Sequence, residues 1–149
     1  MVEAYWNVGK KIVEVEQDGE TKAKYGSNLI NELSKQLTAD FGVGFSARNL
    51  RNMRQFYYCF PIWQTVSAKL SWSHYLLILK LENEKAREYY IQESIASNWS
   101  VRALERQINS LYYERLISSQ EKQSVIEESI VEIIFLFLNI NFIYQQKKS

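Results

Sequence analysis

Apolar residues recur at intervals of three and four along most of the chain, which is the spacing of one face of an α-helix. Near the start, this spacing places four apolar residues on one helix face: Tyr5, Val8, Ile12 and Val15. Two later segments repeat the pattern, one with Ile30, Leu33 and Leu37 and the other with Val101, Leu104, Ile108 and Leu111. The pattern predicts six helices, over residues 4–17, 23–40, 46–58, 71–81 and 84–96 and from residue 100 onwards.

Residues that favour helix ends lie at the borders of these segments. Four of the predicted helices begin after a side chain that can accept a hydrogen bond from the first turn: Ser46, Ser71, Asn83 and Ser100. Gly42 follows the second helix and suits the left-handed residue that closes many helices, and Pro61 ends the third helix. The stretch between Pro61 and Ser71 is predicted to be a connector.

The composition agrees with an all-α fold, because five Gly and one Pro in 149 residues are too few for a protein built on many turns. The single cysteine, Cys59, permits no disulfide within the chain and no cysteine zinc cage, and we expect it to be a small buried thiol. His74 is expected to be a satisfied structural histidine. We expect no metal and no cofactor, and the charged N-terminus indicates a cytoplasmic protein rather than a secreted one.

The C-terminal part differs from the rest, because residues 130–144 are almost wholly apolar. They include Glu132, Asn139 and Asn141 and fall short of the roughly 20 apolar residues that cross a bilayer, so no membrane segment is expected. The sequence thus predicts a helical domain over residues 1–119 and an apolar tail over 120–149. The tail is expected to be a buried helix or strand, or the stub of a larger protein whose next domain is missing here. If it is exposed, it is an aggregation or oligomerisation surface.

Charge is distributed unevenly. Between Asp40 and Glu82 there is no acidic residue, whereas the same stretch contains five basic ones: Arg48, Arg51, Arg54, Lys69 and Lys80. Such asymmetry is typical of a surface that binds a polyanion. A solvated basic surface without a partner is the alternative, and charge alone does not decide between them.

The third predicted helix carries the residues of interest. At 100° per residue, Leu50, Met53 and Tyr57 form its buried face, with Phe56 at the margin. The other side holds Arg48, Arg51, Asn52, Arg54, Gln55 and Tyr58. Arg can pair with guanine, and Asn and Gln with adenine. In a helix-turn-helix, the N-terminal residues of the second helix approach the bases, and here these are Ser46, Arg48, Asn49, Arg51 and Asn52. An Arg-rich solvated face that forms ion pairs with the acidic helices is the alternative.

A weaker candidate lies in the sixth helix. Arg102 and Arg106 are one helical turn apart and could contact the DNA backbone. Glu93 and Glu105 could instead neutralise them, and the sequence favours this structural interpretation.

Several long strings resemble the N-terminal domain of the YhcG family. They are YWNVGKKIVEVEQ, YGSNLINELSKQL, FGVGFSARNLRNMRQFY, LSWSHYLLILKLENEKAREYY and NWSVRALERQI, and the likeness covers about residues 4–119. In that family this domain precedes a PD-(D/E)xK nuclease domain, so the resemblance implies a DNA-targeting module. The order of elements over residues 29–108 is also similar, more loosely, to the helix-turn-helix region of ParB partition proteins.

These patterns lead to two hypotheses. The first is a non-catalytic helix-turn-helix module that binds DNA and targets a nuclease. The second is a protein-interaction module that forms a homodimer or docks a nuclease or other partner through Trp63, Trp72, Trp99 and the tail. The string Glu20-Thr21-Lys22 matches E-x-K, but it lies in a predicted turn, so we expect no nuclease site here.

Overall fold

The computed structural model describes the backbone of residues 1–18 and 22–146 and the side chains of residues 1–18 and 28–138. Within these ranges there are α-helices and short 3₁₀ helices but no strand, and the all-α prediction is confirmed. The α-helices are α1 (Val2–Asp18), α2 (Lys22–Phe41), α3 (Ala47–Cys59), α4 (Trp72–Ile78), α5 (Glu84–Ala96), α6 (Val101–Asn109) and α7 (Tyr112–Gln146). The two 3₁₀ helices are Val43–Phe45 and Trp63–Thr65.

The chain divides into two compact units, Met1–Arg106 and Gln107–Ser149. The first unit contains α1 to α5 and most of α6. The second contains α7. This helix continues without a break past residue 119, where the sequence analysis places the boundary between the helical domain and the tail.

The core of the first unit forms where α1, α2 and α3 meet. Ile12, Ile30, Leu50 and Met53 are buried together there, and the partly buried Leu33 and Leu37 pack against them with other apolar side chains. The apolar face predicted for α2 is therefore the face that the structure buries. Removing these side chains from water is the main source of stability for the three-helix arrangement.

Helices α1 and α3 pack closely at Gly9. A Cβ built on Gly9 would overlap the carbonyl oxygen of Met53, and it would lie 2.7 Å from the carbonyl carbon of Met53 and 3.3 Å from the backbone nitrogen of Arg54. All three atoms belong to the backbone of α3. Glycine therefore lets the two helices pack with their backbones nearly in contact.

Three of the four predicted helix caps are confirmed by a side-chain hydrogen bond. The side chains of Ser46, Asn83 and Ser100 accept hydrogen bonds from the backbone N–H groups of Asn49 (3.2 Å), Ala86 (3.1 Å) and Ala103 (3.2 Å). Each bond satisfies a first-turn N–H that has no partner within the helix.

Gly42 ends α2 in a conformation that few other residues adopt. Its φ of 92° is positive as predicted, but its ψ of −166° lies outside the left-handed helical region. Its N–H bonds to the carbonyl of Thr38 at 3.0 Å, so the helix closes and the chain then turns sharply into the 3₁₀ helix that precedes α3.

Three predictions about which side chains are buried are wrong. Val15 was placed on the buried stripe of α1 but is 51% exposed, because the buried face of α1 turns toward Trp6, Gly9 and Val13. Leu111 is 58% exposed and has a φ of 53°, because α6 ends before it.

The third wrong position concerns the buried face of α3. Phe56 is fully buried and Tyr57 only partly, the reverse of the expected order. The rings of Trp72 and Tyr75 lie 5.3 and 4.8 Å from that of Phe56, so α4 covers a side of α3 that the helical projection could not assign.

The apolar tail is helical but not buried. From Ile130 to Phe137 and Leu138, its large apolar side chains are 50–67% exposed, so the prediction of a buried element is wrong for the described residues. The side chains of residues 139–144 lie outside the described part. None of the helices, over the residues described, combines the length and the hydropathy needed to cross a membrane.

Candidate nucleic-acid interface

One side of helix α3 packs against the core, and the other side faces solvent. Leu50, Met53 and Phe56 are fully buried against α1, α2 and α4, whereas Arg48, Arg51 and Gln55 on the other side are exposed. The apolar spacing of α3 thus fixes which polar side chains reach solvent.

The open side of α3 forms one wall of a cleft of about 360 Å³, and α4 with the turn after it forms the other wall. From α3 and its cap the lining residues are Ser46, Arg48, Asn49, Asn52 and Gln55, and from the second wall they are Leu76, Leu79 and Lys80. None of these lining residues is acidic. Two cations from separate parts of the chain, Arg48 and Lys80, therefore share one cleft. The carboxamides of Asn52 and Gln55 on α3 line the same cleft.

The sequence reasoning missed the second wall. The acid-free stretch of the sequence includes Lys80, but the sequence analysis predicts no site role for Leu76 and Leu79. Their spacing gives a usable signal, because Leu76, Leu79 and Lys80 lie three and four residues apart and can share one side of a helical turn.

Two of the predicted site residues hold the structure in place. The Nδ2 of Asn49 donates to the Gly44 carbonyl at 2.6 Å, and its Oδ1 accepts from the indole N–H of Trp72 at 3.1 Å. Ser46 caps α3 by accepting the N–H of Asn49. Both residues line the cleft, but their polar atoms are engaged in fixing the start of α3 against the preceding turn and α4.

Arg54 is also engaged within the fold. Its guanidinium donates to the carboxylate of Glu16 on α1 at 2.8 Å, and the two side chains are 32% and 18% exposed. The alternative in which arginines of α3 form ion pairs therefore holds for Arg54. Within the described residues neither Arg48 nor Arg51 forms an ion pair, so their charges are available to solvent or to a ligand.

The remaining polar positions of α3 are less constrained. Asn52 is half-buried at the cleft wall and Gln55 is exposed, with a long contact of 3.4 Å from its Nε2 to the sulfur of Cys59. Arg51 lies outside the cleft lining and is exposed. Cys59 itself is a free thiol that is half-buried, rather than fully buried as expected.

On α6, Arg102 and Arg106 are both exposed. In the part of the chain that the structure describes, neither forms an ion pair with Glu93 or Glu105. The ion pairs with Glu93 and Glu105 that the sequence favoured are therefore not formed. Both arginines remain candidates for contact with phosphate.

His74 positions α4 and hence the second wall of the cleft. Its Nδ1 accepts the backbone N–H of Ser71 at 3.2 Å and lies 2.7 Å from the Ser71 hydroxyl. Its Nε2 lies 3.0 Å from the carbonyl oxygen of Trp99. A neutral ring with the proton on Nε2 satisfies these contacts, so His74 joins the start of α4 to the segment before α6. The expectation of a satisfied structural histidine is confirmed.

The tryptophans proposed as interface anchors serve internal packing to a large extent. Trp72 packs against Tyr5 and Phe56 at ring distances of 5.0 and 5.3 Å, and Trp63 lies 5.7 Å from Trp6. Trp72, Trp63 and Trp99 are all partly buried. Of the features named for protein interaction, the exposed part of α7 is the one that the structure leaves uncovered.

No cluster of three His, Cys, Asp or Glu side chains suited to a metal ion occurs among the described residues. Glu20 and Thr21 of the E-x-K string lie outside the described residues, as does the side chain of Lys22.

Comparison with known proteins places these features in a family. Residues 1–115 match the family described as the DUF1016 N-terminal domain. The chain is also similar to the protein named "Putative nuclease YhcG" of Escherichia coli (strain K12), with 38% identity over 160 aligned positions. The alignment covers 86% of this chain and 43% of that relative, so the chain spans less than half of the relative's length.

No solved structure matches the chain, and the looser likeness to ParB gains no support from the comparisons. The family match covers most of the chain and includes α1 to α6, with the cleft between α3 and α4. The resemblance read from the sequence strings is thereby confirmed, and the chain belongs to the family of the DUF1016 N-terminal domain.

Proposed function

We propose that this chain is a DNA-binding module of a nuclease system, with no catalytic site of its own. In this proposal α2, the 3₁₀ helix and α3 act as a helix-turn-helix, and α3 with the adjoining cleft contacts duplex DNA. The observation that carries the proposal is the cleft itself, which joins Arg48 to Lys80 and has no acidic residue in its lining.

The charge arrangement supports binding of a polyanion. A carboxylate near Arg48 or Lys80 would compete with phosphate for these cations, and among the described residues neither forms an ion pair. Two cations on opposite walls of a cleft can contact phosphates of one strand, and each phosphate neutralised releases counterions. Arg102 and Arg106, both exposed, would add backbone contacts from α6.

The polar residues of α3 support contact with bases. Asn52 and Gln55 carry carboxamides that can pair with adenine, and the exposed Arg51 can pair with guanine. Ser46 and Asn49 hold the start of α3 in place, and Arg54 is tied to Glu16, so we assign these three a positioning role rather than contact with bases. The proposed base-contacting residues are therefore Arg51, Asn52 and Gln55.

The connection to a nuclease rests on the relative. The Escherichia coli protein carries the name "Putative nuclease YhcG", and this chain matches 43% of it. We propose that cleavage belongs to a separate domain or to a partner protein and that this chain supplies the DNA contact.

A titration with duplex DNA tests the proposal. Fluorescence anisotropy of a labelled duplex would be followed for the wild type and for the variant R48A/K80A, which removes one cation from each cleft wall. The control variant K11A/K85A removes the same number of charges from exposed positions on α1 and α5, outside the proposed helix-turn-helix. We expect the cleft variant to bind at least about tenfold more weakly, because two phosphate contacts are lost, and the control to bind nearly as the wild type.

Equal affinity of all three proteins would overturn the assignment of the cleft. Absence of binding by the wild type would overturn DNA binding and favour the protein-interaction hypothesis, for which the exposed apolar residues of α7 are the supporting observation. Thermal unfolding of each variant, measured alongside, verifies that the folded state is retained.

A further inference from the structure

Helix α7 exposes large apolar side chains on every side. Ile126, Ile130, Ile133 and Phe137 are 51%, 50%, 60% and 67% exposed, and their neighbours between residues 125 and 138 are similarly open. A helix with this surface is stable in water only when part of it is covered, because contiguous exposed apolar area of this kind marks an interaction surface.

The charged residues of α7 define which side can be covered. Seven charged side chains lie between residues 112 and 138. In a coiled coil the seam consists of heptad positions a and d, which exclude charge. Of the seven registers that a heptad allows, only one keeps all seven charges off the seam. This register places a and d at residues 112, 116, 119, 123, 126, 130, 133 and 137.

The seam in this register changes character along the helix. Its first part combines Tyr112 and Leu116 with the polar Ser119 and Gln123, and its second part holds the apolar Ile126, Ile130 and Ile133. Over their full length, two such helices bury apolar against apolar in the second part only when they run in the same direction, because an antiparallel pair would place the polar Ser119 and Gln123 of one opposite the apolar second part of the other. The seam therefore fits a parallel partner of the same pattern.

Charges beside the seam agree with a parallel pair of identical helices. Lys122 occupies position g, and Glu127 occupies the following position e, the two positions that face each other between parallel helices. In the described residues Lys122 forms no ion pair, and Glu127 accepts only the neutral amide of Gln123, at 3.0 Å. Both charges thus remain available to a second copy, and the symmetry of a parallel pair would form this contact twice.

We infer that α7 is a self-association element that packs in parallel, in this register, against α7 of a second copy of the chain. The inference does not depend on the proposed function, because it rests on α7 alone and its tests contain no DNA.

The first test measures mass. The wild-type chain would be studied by sedimentation over a range of concentrations, together with I130D on the seam and V131D at the next residue, off the seam. We expect the wild type to self-associate and I130D to weaken association by at least about tenfold, because it buries an unpaired carboxylate. V131D adds the same charge at a site that is 64% exposed and should change association much less.

The second test establishes direction and register. In a C59S background, Q123C at position a should form a disulfide between copies under mild oxidation, because equivalent a positions lie side by side in a parallel pair. S124C, one residue off the seam, should cross-link far less. A monomeric wild type at all concentrations overturns self-association. Equal effects of I130D and V131D, or equal cross-linking at residues 123 and 124, overturn the register.

Discussion

Gly9 offers the sharpest test of how the first unit packs. Replacing Gly by Ala in an exposed helix interior stabilises a protein by about 0.8–1.0 kcal/mol, because Ala loses less backbone entropy on folding. At Gly9 the new methyl group would overlap the carbonyl oxygen of Met53 and lie 2.7 Å from its carbonyl carbon. These are backbone atoms of α3 and cannot rotate away, so α1 must move outward.

Outward movement of α1 would loosen the packing of Trp6, Ile12 and Val13, which are all buried. Overpacking of a core costs about 1–3 kcal/mol, and contact with backbone places G9A near the upper limit. Subtracting the gain of about 1 kcal/mol from helix propensity leaves a net destabilisation of about 2 kcal/mol. For a unit of this size the melting temperature should fall by roughly 5–15 °C.

Urea unfolding followed by circular dichroism would measure this change. The control is G44A, because a Cβ at Gly44 would meet only the Tyr5 hydroxyl at 3.9 Å, an ordinary contact. We expect G44A to change the free energy of unfolding by less than about 0.5 kcal/mol. A G9A protein as stable as the wild type, or more stable, would refute the close packing of α1 on α3.

Three further predictions concern single buried groups. Burial raises the pKa of Tyr75 from 10.0 to about 12, against the opposing effect of its hydrogen bond with the backbone of Ser67. Between these two pH values the folded state keeps a proton that the unfolded chain has released. The stability contributed by Tyr75 is therefore complete below about pH 10 and is lost as pH rises toward 12. The free energy of unfolding, measured against pH, should show this fall in the wild type and not in Y75F. The variant W6F removes the indole N–H that donates to the Phe60 carbonyl at 2.7 Å. Urea unfolding should show that the free energy of unfolding falls by about 1–3 kcal/mol. An unchanged free energy of unfolding would contradict a buried hydrogen bond at this position. The Ser94 hydroxyl is buried without a hydrogen-bond partner in the described part of the chain, so S94A should be neutral or stabilising by up to about 1 kcal/mol, and a clear destabilisation would show that the hydroxyl has a partner.

Local features of the fold could be predicted from the sequence. The helix starts at Ser46, Asn83 and Ser100 follow from a single side chain and the first turn beside it, so their signal is contained in a few adjacent residues. The positive φ of Gly42 is similarly local.

Features that depend on neighbouring helices could not be predicted. The ion pair of Arg54 with Glu16 joins residues far apart in the chain, and a helical projection cannot show which of several outward arginines α1 will approach. The full burial of Phe56 has the same origin, since α4 covers it. The burial predicted for the apolar tail was wrong for a related reason. Apolar composition predicts that a helix packs against another surface, but it does not show whether that surface belongs to the same chain or to another molecule.

The central claim, that an acid-free face around α3 binds DNA, is tested most directly by the salt dependence of binding. Affinity for a duplex would be measured over a salt series for the wild type and for R48A/R51A/K80A. Each lost phosphate contact lowers the slope of log affinity against log salt by about 0.9. The account predicts a steep wild-type slope that falls by about 1.8 in the triple variant, because the phosphate contacts of Arg48 and Lys80 are lost, with weaker binding at every salt concentration. Identical slopes and affinities in the two proteins would contradict it.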